Sequence, residues 1–175
     1  MRRLIGTWLV LGLAFVGCHE SVHPDSYEAL VLESGLSVFV GVSDDDASAG
    51  SIITVEARLR VVDEAITPTG FFADLHFDPD RLEPVEIPVQ QDGVVRAVNL
   101  EAGPGLTRAA GAAPAGFGTE TLFAVNMRVI QADYMGSLSI HLEELIVLEQ
   151  GFADLAAEAV VLSEAIPARV RVLGG

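Results

Sequence analysis

The sequence predicts an all-β domain, an antiparallel sandwich of about nine strands, on three observations. Apolar, β-branched runs of 6 to 12 residues follow one another from residue 35 onward, separated by Gly, Pro or Asp clusters at the spacing a sandwich needs. Several of these runs alternate apolar and polar residues, as half-buried strands do. Helical signals are weak throughout. The best candidate, around Phe152 to Val161, carries valines and a preceding Gly151 that suit a loop feeding a strand equally well.

Taken in order, the predicted strands are 35–42 (GLSVFVGV), 51–62 (SIITVEARLRVV), 70–79 (GFFADLHFDP), 81–87 (RLEPVEI) and 93–100 (GVVRAVNL), then 106–112 (LTRAAGA), 120–132 (ETLFAVNMRVIQA), 137–149 (SLSIHLEELIVLE) and 158–173 (EAVVLSEAIPARVRVL). In the second run Val55, Ala57, Leu59 and Val61 share one face, and Glu56, Arg58 and Arg60 the other. In the third, Phe71, Ala73, Leu75 and Phe77 oppose Phe72, Asp74, His76 and Asp78. In the seventh, Phe123, Val125, Met127 and Val129 oppose Leu122, Ala124, Asn126 and Arg128. Residues 101–120, rich in Gly, Ala and Pro, are expected to be loops around one short strand.

The N-terminus predicts a different fate from the rest of the chain. MRRLIGTWLVLGLAFVGC has two arginines, then 13 mostly apolar residues from Leu4 to Val16, then a small residue and Cys18. The apolar run is too short to span a bilayer comfortably and matches a signal peptide. Its end, Phe15-Val16-Gly17-Cys18, resembles a bacterial lipobox, which implies cleavage before Cys18 and lipidation of that cysteine. The expected organisation is a signal peptide over 1–17, a polar tether over 18–34 and a domain over 35–173. The expected location is a lipid-anchored membrane surface of the cell envelope, the outer membrane where the bacterium has two.

Charge narrows the partners. The chain has 175 residues and a formal charge of −15, and beyond the leader it keeps 8 arginines against 25 acids with no lysine, a net of −17. Such a field repels nucleic acid and anionic lipid headgroups and favours cations or basic partners. With a single cysteine there is no intrachain disulfide and no Cys/His zinc spacing.

Chemistry-bearing clusters are few. Asp74, His76, Asp78 and Asp80 stand at every second position, a set that suggests a metal-assisted hydrolase using Asp74, His76 and Asp78. On a flat strand, however, side chains two residues apart stand about 7 Å from one another, whereas metal ligands converge to bonds of about 2 Å. Asp78-Pro79 also reads as a turn, because proline ends a strand ladder. These residues are therefore expected to form a solvated strand face, with no cofactor or metal. Asp44-Asp45-Asp46 is expected to be an acidic turn, with calcium as its alternative. No G-x-S-x-G elbow occurs, and two of the four histidines fall in the tether.

The stretch GFFADLHFDPDRLEPVEI resembles the third-and-fourth-strand signature of cohesin domains: an alternating strand closing in aromatic-Asp-Pro, two residues, then Leu-Glu and an apolar pair. GFGTETLFAVNMRVIQADYMGSLSIHLEEL from Gly116 is similar to the family's later part, and GFAD at 151–154 to the segment before its last strand. The resemblance implies a nine-stranded jelly-roll sandwich, a fold shared with carbohydrate-binding modules, and a non-catalytic role in binding dockerins, the calcium-loaded modules that attach enzymes to scaffolds. It places Gly70, Phe72, Asp74 and His76 on the partner-binding sheet. Three functions stay open: a protein-docking module, a carbohydrate-binding module, and the metal-assisted hydrolase.

Overall fold

Alternation along the strands becomes two facing sheets. The computed structural model describes residues 35–62, 66–90, 92–117, 120–148, 153–162 and 165–167, so the leader, Cys18 and the tether lie outside the described residues. The strands are β1 (Leu36–Val42), β2 (Ile52–Val61), β3 (Pro68–His76), β4 (Leu82–Glu86), β5 (Val95–Gly103), β6 (Leu106–Ala112), β7 (Thr121–Val129), β8 (Ser139–Val147), β9 (Ala153–Asp154), β10 (Val160–Val161) and β11 (Ile166–Pro167). One sheet has the order β5-β6-β3-β8-β9, the other β10-β1-β2-β7-β4, with β11 also pairing with β1. All-β architecture, sandwich layering and a jelly-roll topology are thus as the sequence predicts. The pairing is antiparallel except where β10 and β11 run parallel to β1.

The core lies between the sheets and is built from the parities read above. Val55, Ala57 and Leu59 of β2 meet Phe123, Val125 and Met127 of β7 on one side, and Phe71, Ala73 and Leu75 of β3 meet Ile140, Leu142 and Leu145 of β8 on the other, all buried. Burying each large apolar side chain contributes about 1.5–3 kcal/mol. Phe71 ties the layers together: its ring meets Phe117 edge-on at 5.7 Å and stacks on Phe123 of the opposite sheet at 6.2 Å. Opposite it on β6 sits Gly111, where a Cβ would lie 2.2 Å from the ring, so only glycine leaves room for this packing.

Three expectations change, and the weak helical signal is accounted for. Residues 101–112 are not mainly loop but the β5–β6 hairpin, which turns at Gly105 with φ +65°. A Cβ there would also stand 2.3 Å from the Phe77 carbonyl oxygen. Leu122 leaves its predicted outer face and is buried in the core, beside the register shift between Ala57 and Arg58. Of the last predicted strand, 158–173, the described residues show two short segments, β10 and β11; residues 163–164 and 168–173 lie outside the described residues. Around residues 153–158 helix is confined to one 3-10 turn, Ala156–Glu158. The carboxylate of Asp154 accepts the N–H groups of Leu145 and Ala156, both at 2.9 Å, which fastens that turn to β8.

Candidate functional site

The outer face of the five-stranded sheet is set by register. Residues directly opposite one another on antiparallel strands share a face, so Gly70, Phe72, Asp74 and His76 of β3 bring with them Ala112, Ala110, Arg108 and Leu106 of β6. On the other side of β3, Phe72 faces Glu144, Asp74 faces His141 and His76 faces Ser139 of β8. Beyond β6, Ala97 of β5 pairs with Ala110, and Asn99 with Arg108. All four sequence-predicted site residues therefore lie on one face of a central strand.

Their surroundings differ from those expected. Asp74 is not a solvated carboxylate: it is 4% exposed. The Arg108 guanidinium grips it from β6, Nε donating to Oδ1 at 2.7 Å and Nη2 donating to Oδ2 at 2.6 Å. Two-pronged hydrogen bonding of this kind is the strongest geometry available to a carboxylate. These bonds, more than any other influence, hold the Asp74 carboxyl below the usual carboxylate range; burial opposes them, and the charges of Arg108, His76 and His141 add to them. The same guanidinium lies 5.2 Å from the centre of the Phe72 ring, within cation–π range. Phe72 is half-buried beside this cation.

The flank on β8 is acidic because the strand is irregular. Phe72 pairs with Glu144 but Ala73 with Leu142, so one residue is extra on β8 and both Glu143 and Glu144 are exposed. His141 Nε2 lies 3.5 Å from a Glu143 oxygen. Small residues fill the other flank, where Ala97, Ala110, Ala112 and Gly70 leave the sheet without bulky side chains; Val95 at its border is 74% exposed.

Asp74, His76 and Asp78 do not converge on a common point. Asp74 is taken by Arg108, His76 is exposed on its own strand, and Asp78 belongs to the turn after β3. There Asp78 accepts the Asp80 N–H at 2.9 Å and pairs with Arg81 at 3.3 Å. Among the described residues no group of three His, Cys, Asp or Glu side chains could hold a metal ion. The metal-assisted alternative thus finds no support in the geometry. Asp44-Asp45-Asp46 forms the turn after β1, with the Asp44 carboxylate accepting the Asp46 N–H at 3.2 Å. Buried Tyr134 pins it, donating its hydroxyl to the Asp44 carbonyl and accepting the Ala47 N–H.

Arg108 is the residue that sequence reasoning missed. LTRAAGA does place it at the right parity, with Ala110 and Ala112 on the same side. Nothing in the sequence says that β6, rather than another strand, lies beside β3, or that position 108 falls opposite 74.

Among solved structures, the chain is similar to the cohesin module of a family 33 glycoside hydrolase from Clostridium perfringens, with a TM-score of 0.54 at 11% identity over 75% of this chain and 98% of that one. It is also similar to a chain of a type I cohesin–dockerin complex from Clostridium thermocellum (TM-score 0.52, 12% identity, 77% of this chain and 99% of that one). A type II cohesin domain from the cellulosome of Acetivibrio cellulolyticus gives a TM-score of 0.51 at 14% identity, over 74% of this chain and 92% of that one. These likenesses establish a cohesin-like fold. No protein-family model matches the chain, and no curated protein matches it by sequence.

Proposed function

We propose that this chain is a non-catalytic protein-docking module whose partner, dockerin-like in kind, seats on the outer face of the five-stranded sheet. The observation that carries this reading is the centre of that face, where Phe72 lies beneath an arginine fastened to Asp74 on a cohesin-like scaffold. Aromatic and arginine side chains are the groups that concentrate binding energy at protein interfaces. Here they are held in place before any partner arrives, which lowers the ordering cost of association. The likeness to a chain of a cohesin–dockerin complex supports the same class of partner. The leader supports lipid attachment at Cys18, with residues 18–34 as the tether that lets the 35–173 domain stand off an envelope membrane.

Biolayer interferometry of the full chain against a panel of recombinant, calcium-loaded type I and type II dockerin modules tests the reading. At least one module is expected to bind, and Phe72→Ala to weaken that binding by about tenfold or more with the melting temperature unchanged. Silence across the panel, or equal binding by the variant and the parent chain, would sink it.

A further inference from the structure

We infer that Arg108 is the specificity-determining residue of this face and that it takes a side-chain carboxylate of the docked partner; this deepens, and rests on, the docking reading above. The Arg108–Asp74 pair is neutral as a whole but lies asymmetrically in the surface. The Asp74 side chain is 5% exposed and the Arg108 side chain 44% exposed, so the sheet presents the positive member of the pair outward. The fork to Asp74 uses Nε and one N–H of Nη2. A guanidinium has five N–H donors in a fixed plane, which leaves three for an incoming acceptor, and the fork to Asp74 orients that plane beside the Phe72 ring, whose centre lies 5.2 Å from the guanidinium carbon.

Asp74 itself is withdrawn from recognition. Buried and doubly hydrogen-bonded, it is closed to a partner's lysine or arginine, and a cation brought to the centre would meet Arg108 first. Asp74 is therefore a positioning residue that acts through Arg108. The exposed glutamates Glu143 and Glu144 lie to one side, on β8, where a cation of the partner finds its place instead. A partner with a carboxylate at its centre and basic groups toward one flank is favoured, and one with the reverse pattern is rejected by like charge.

The test uses the dockerin module that binds best, measured by interferometry against the full chain. Arg108→Gln is expected to lower affinity about tenfold or more, with Arg108→Lys intermediate because it keeps the charge but loses the fork. Asp74→Asn should weaken binding in the parent chain yet add nothing in the Arg108→Gln background. Replacing the partner's contact carboxylates with amides one at a time should reveal one whose effect disappears with Arg108→Gln. Melting curves identify any variant that fails to fold, and the lysine variant then carries the comparison. If Arg108→Gln binds as well as the parent or better, if no partner carboxylate couples to Arg108, or if the Asp74 and Arg108 effects simply add, the inference is overturned while Phe72-dependent docking stands. If no module binds at all, the docking reading fails and takes this inference with it.

Discussion

Arg96 of β5 holds Asp92 with two hydrogen bonds of 2.7 and 2.6 Å, and its Nη2 and Nε also donate to the carbonyl oxygens of Thr121 and Leu122 on β7. Its side chain is 7% exposed. One arginine thus closes the edge of the sandwich, linking the end strand of one sheet to a central strand of the other.

Removing either partner should therefore loosen the sandwich. Arg96→Ala leaves a carboxylate and two carbonyls short of a donor and is expected to cost about 3 kcal/mol in chemical denaturation. The hydrogen bonds from Arg96 come first among the influences that lower the Asp92 pKa from 3.8 to about 2. A depressed carboxyl stabilises the fold at pH above 3.8 and loses that contribution as pH falls toward 2. Between those limits, Asp92→Asn should flatten the acid side of the stability profile; an unchanged profile would contradict this account.

Gly111 and Phe71 make a second, steric prediction. Because a Cβ at 111 would lie 2.2 Å from the Phe71 ring, Gly111→Ala must displace the aromatic that joins the two sheets. Overpacking of this kind costs about 1–3 kcal/mol. Thermal melts should show a lowered midpoint, whereas Gly136→Ala, where nothing lies within 4 Å of the added carbon, should leave it nearly unmoved.

Tyr134 predicts behaviour at the alkaline end. Burial, the largest influence, raises its pKa above 10.0, the nearby Asp44, Asp45 and Asp46 charges raise it further, and the Ala47 N–H opposes them. A tyrosine kept neutral in the fold stabilises it fully below pH 10 and does so less as pH rises, since the unfolded chain ionises first. Tyr134→Phe should remove that alkaline loss and cost about 1 kcal/mol near neutrality through the missing bonds to the 44–47 turn. Denaturation at pH 7 and pH 11 compares the two.

Lipid attachment at Cys18 makes a cellular prediction. The parent chain, expressed with its leader, is expected to partition into the detergent phase and to yield an N-terminal peptide carrying acyl mass at Cys18, while Cys18→Ala should appear in the aqueous fraction. Aqueous partition of the parent would remove the anchor from the proposal.

Most strands and their inward parity were legible because they advertise themselves locally: Val55-x-Ala57-x-Leu59 needs no partner to show which side is apolar, whereas Leu122 was misassigned because a register shift lies beside it. The face bearing Gly70, Phe72, Asp74 and His76 was legible for the same reason. Its chemistry was not. Asp74 reads as a wet carboxylate in any account that sees only β3, and it becomes a buried, arginine-bound one through Arg108, which is 34 residues away in sequence. The extra residue that exposes both Glu143 and Glu144 is likewise a property of how β8 pairs with β3.

What the sequence by itself determined is therefore what period-two alternation and turn residues encode: an all-β sandwich, most of its inward residues, and the row Gly70, Phe72, Asp74 and His76 on one face of the third strand. What only the tertiary structure decided is which strands lie side by side and in what register, because hydrogen-bonded pairing joins segments whose order along the chain carries no record of their neighbours. That register set Arg108 against Asp74 and Phe72, and so turned a list of acids and a histidine into a face with a fixed cation at its centre.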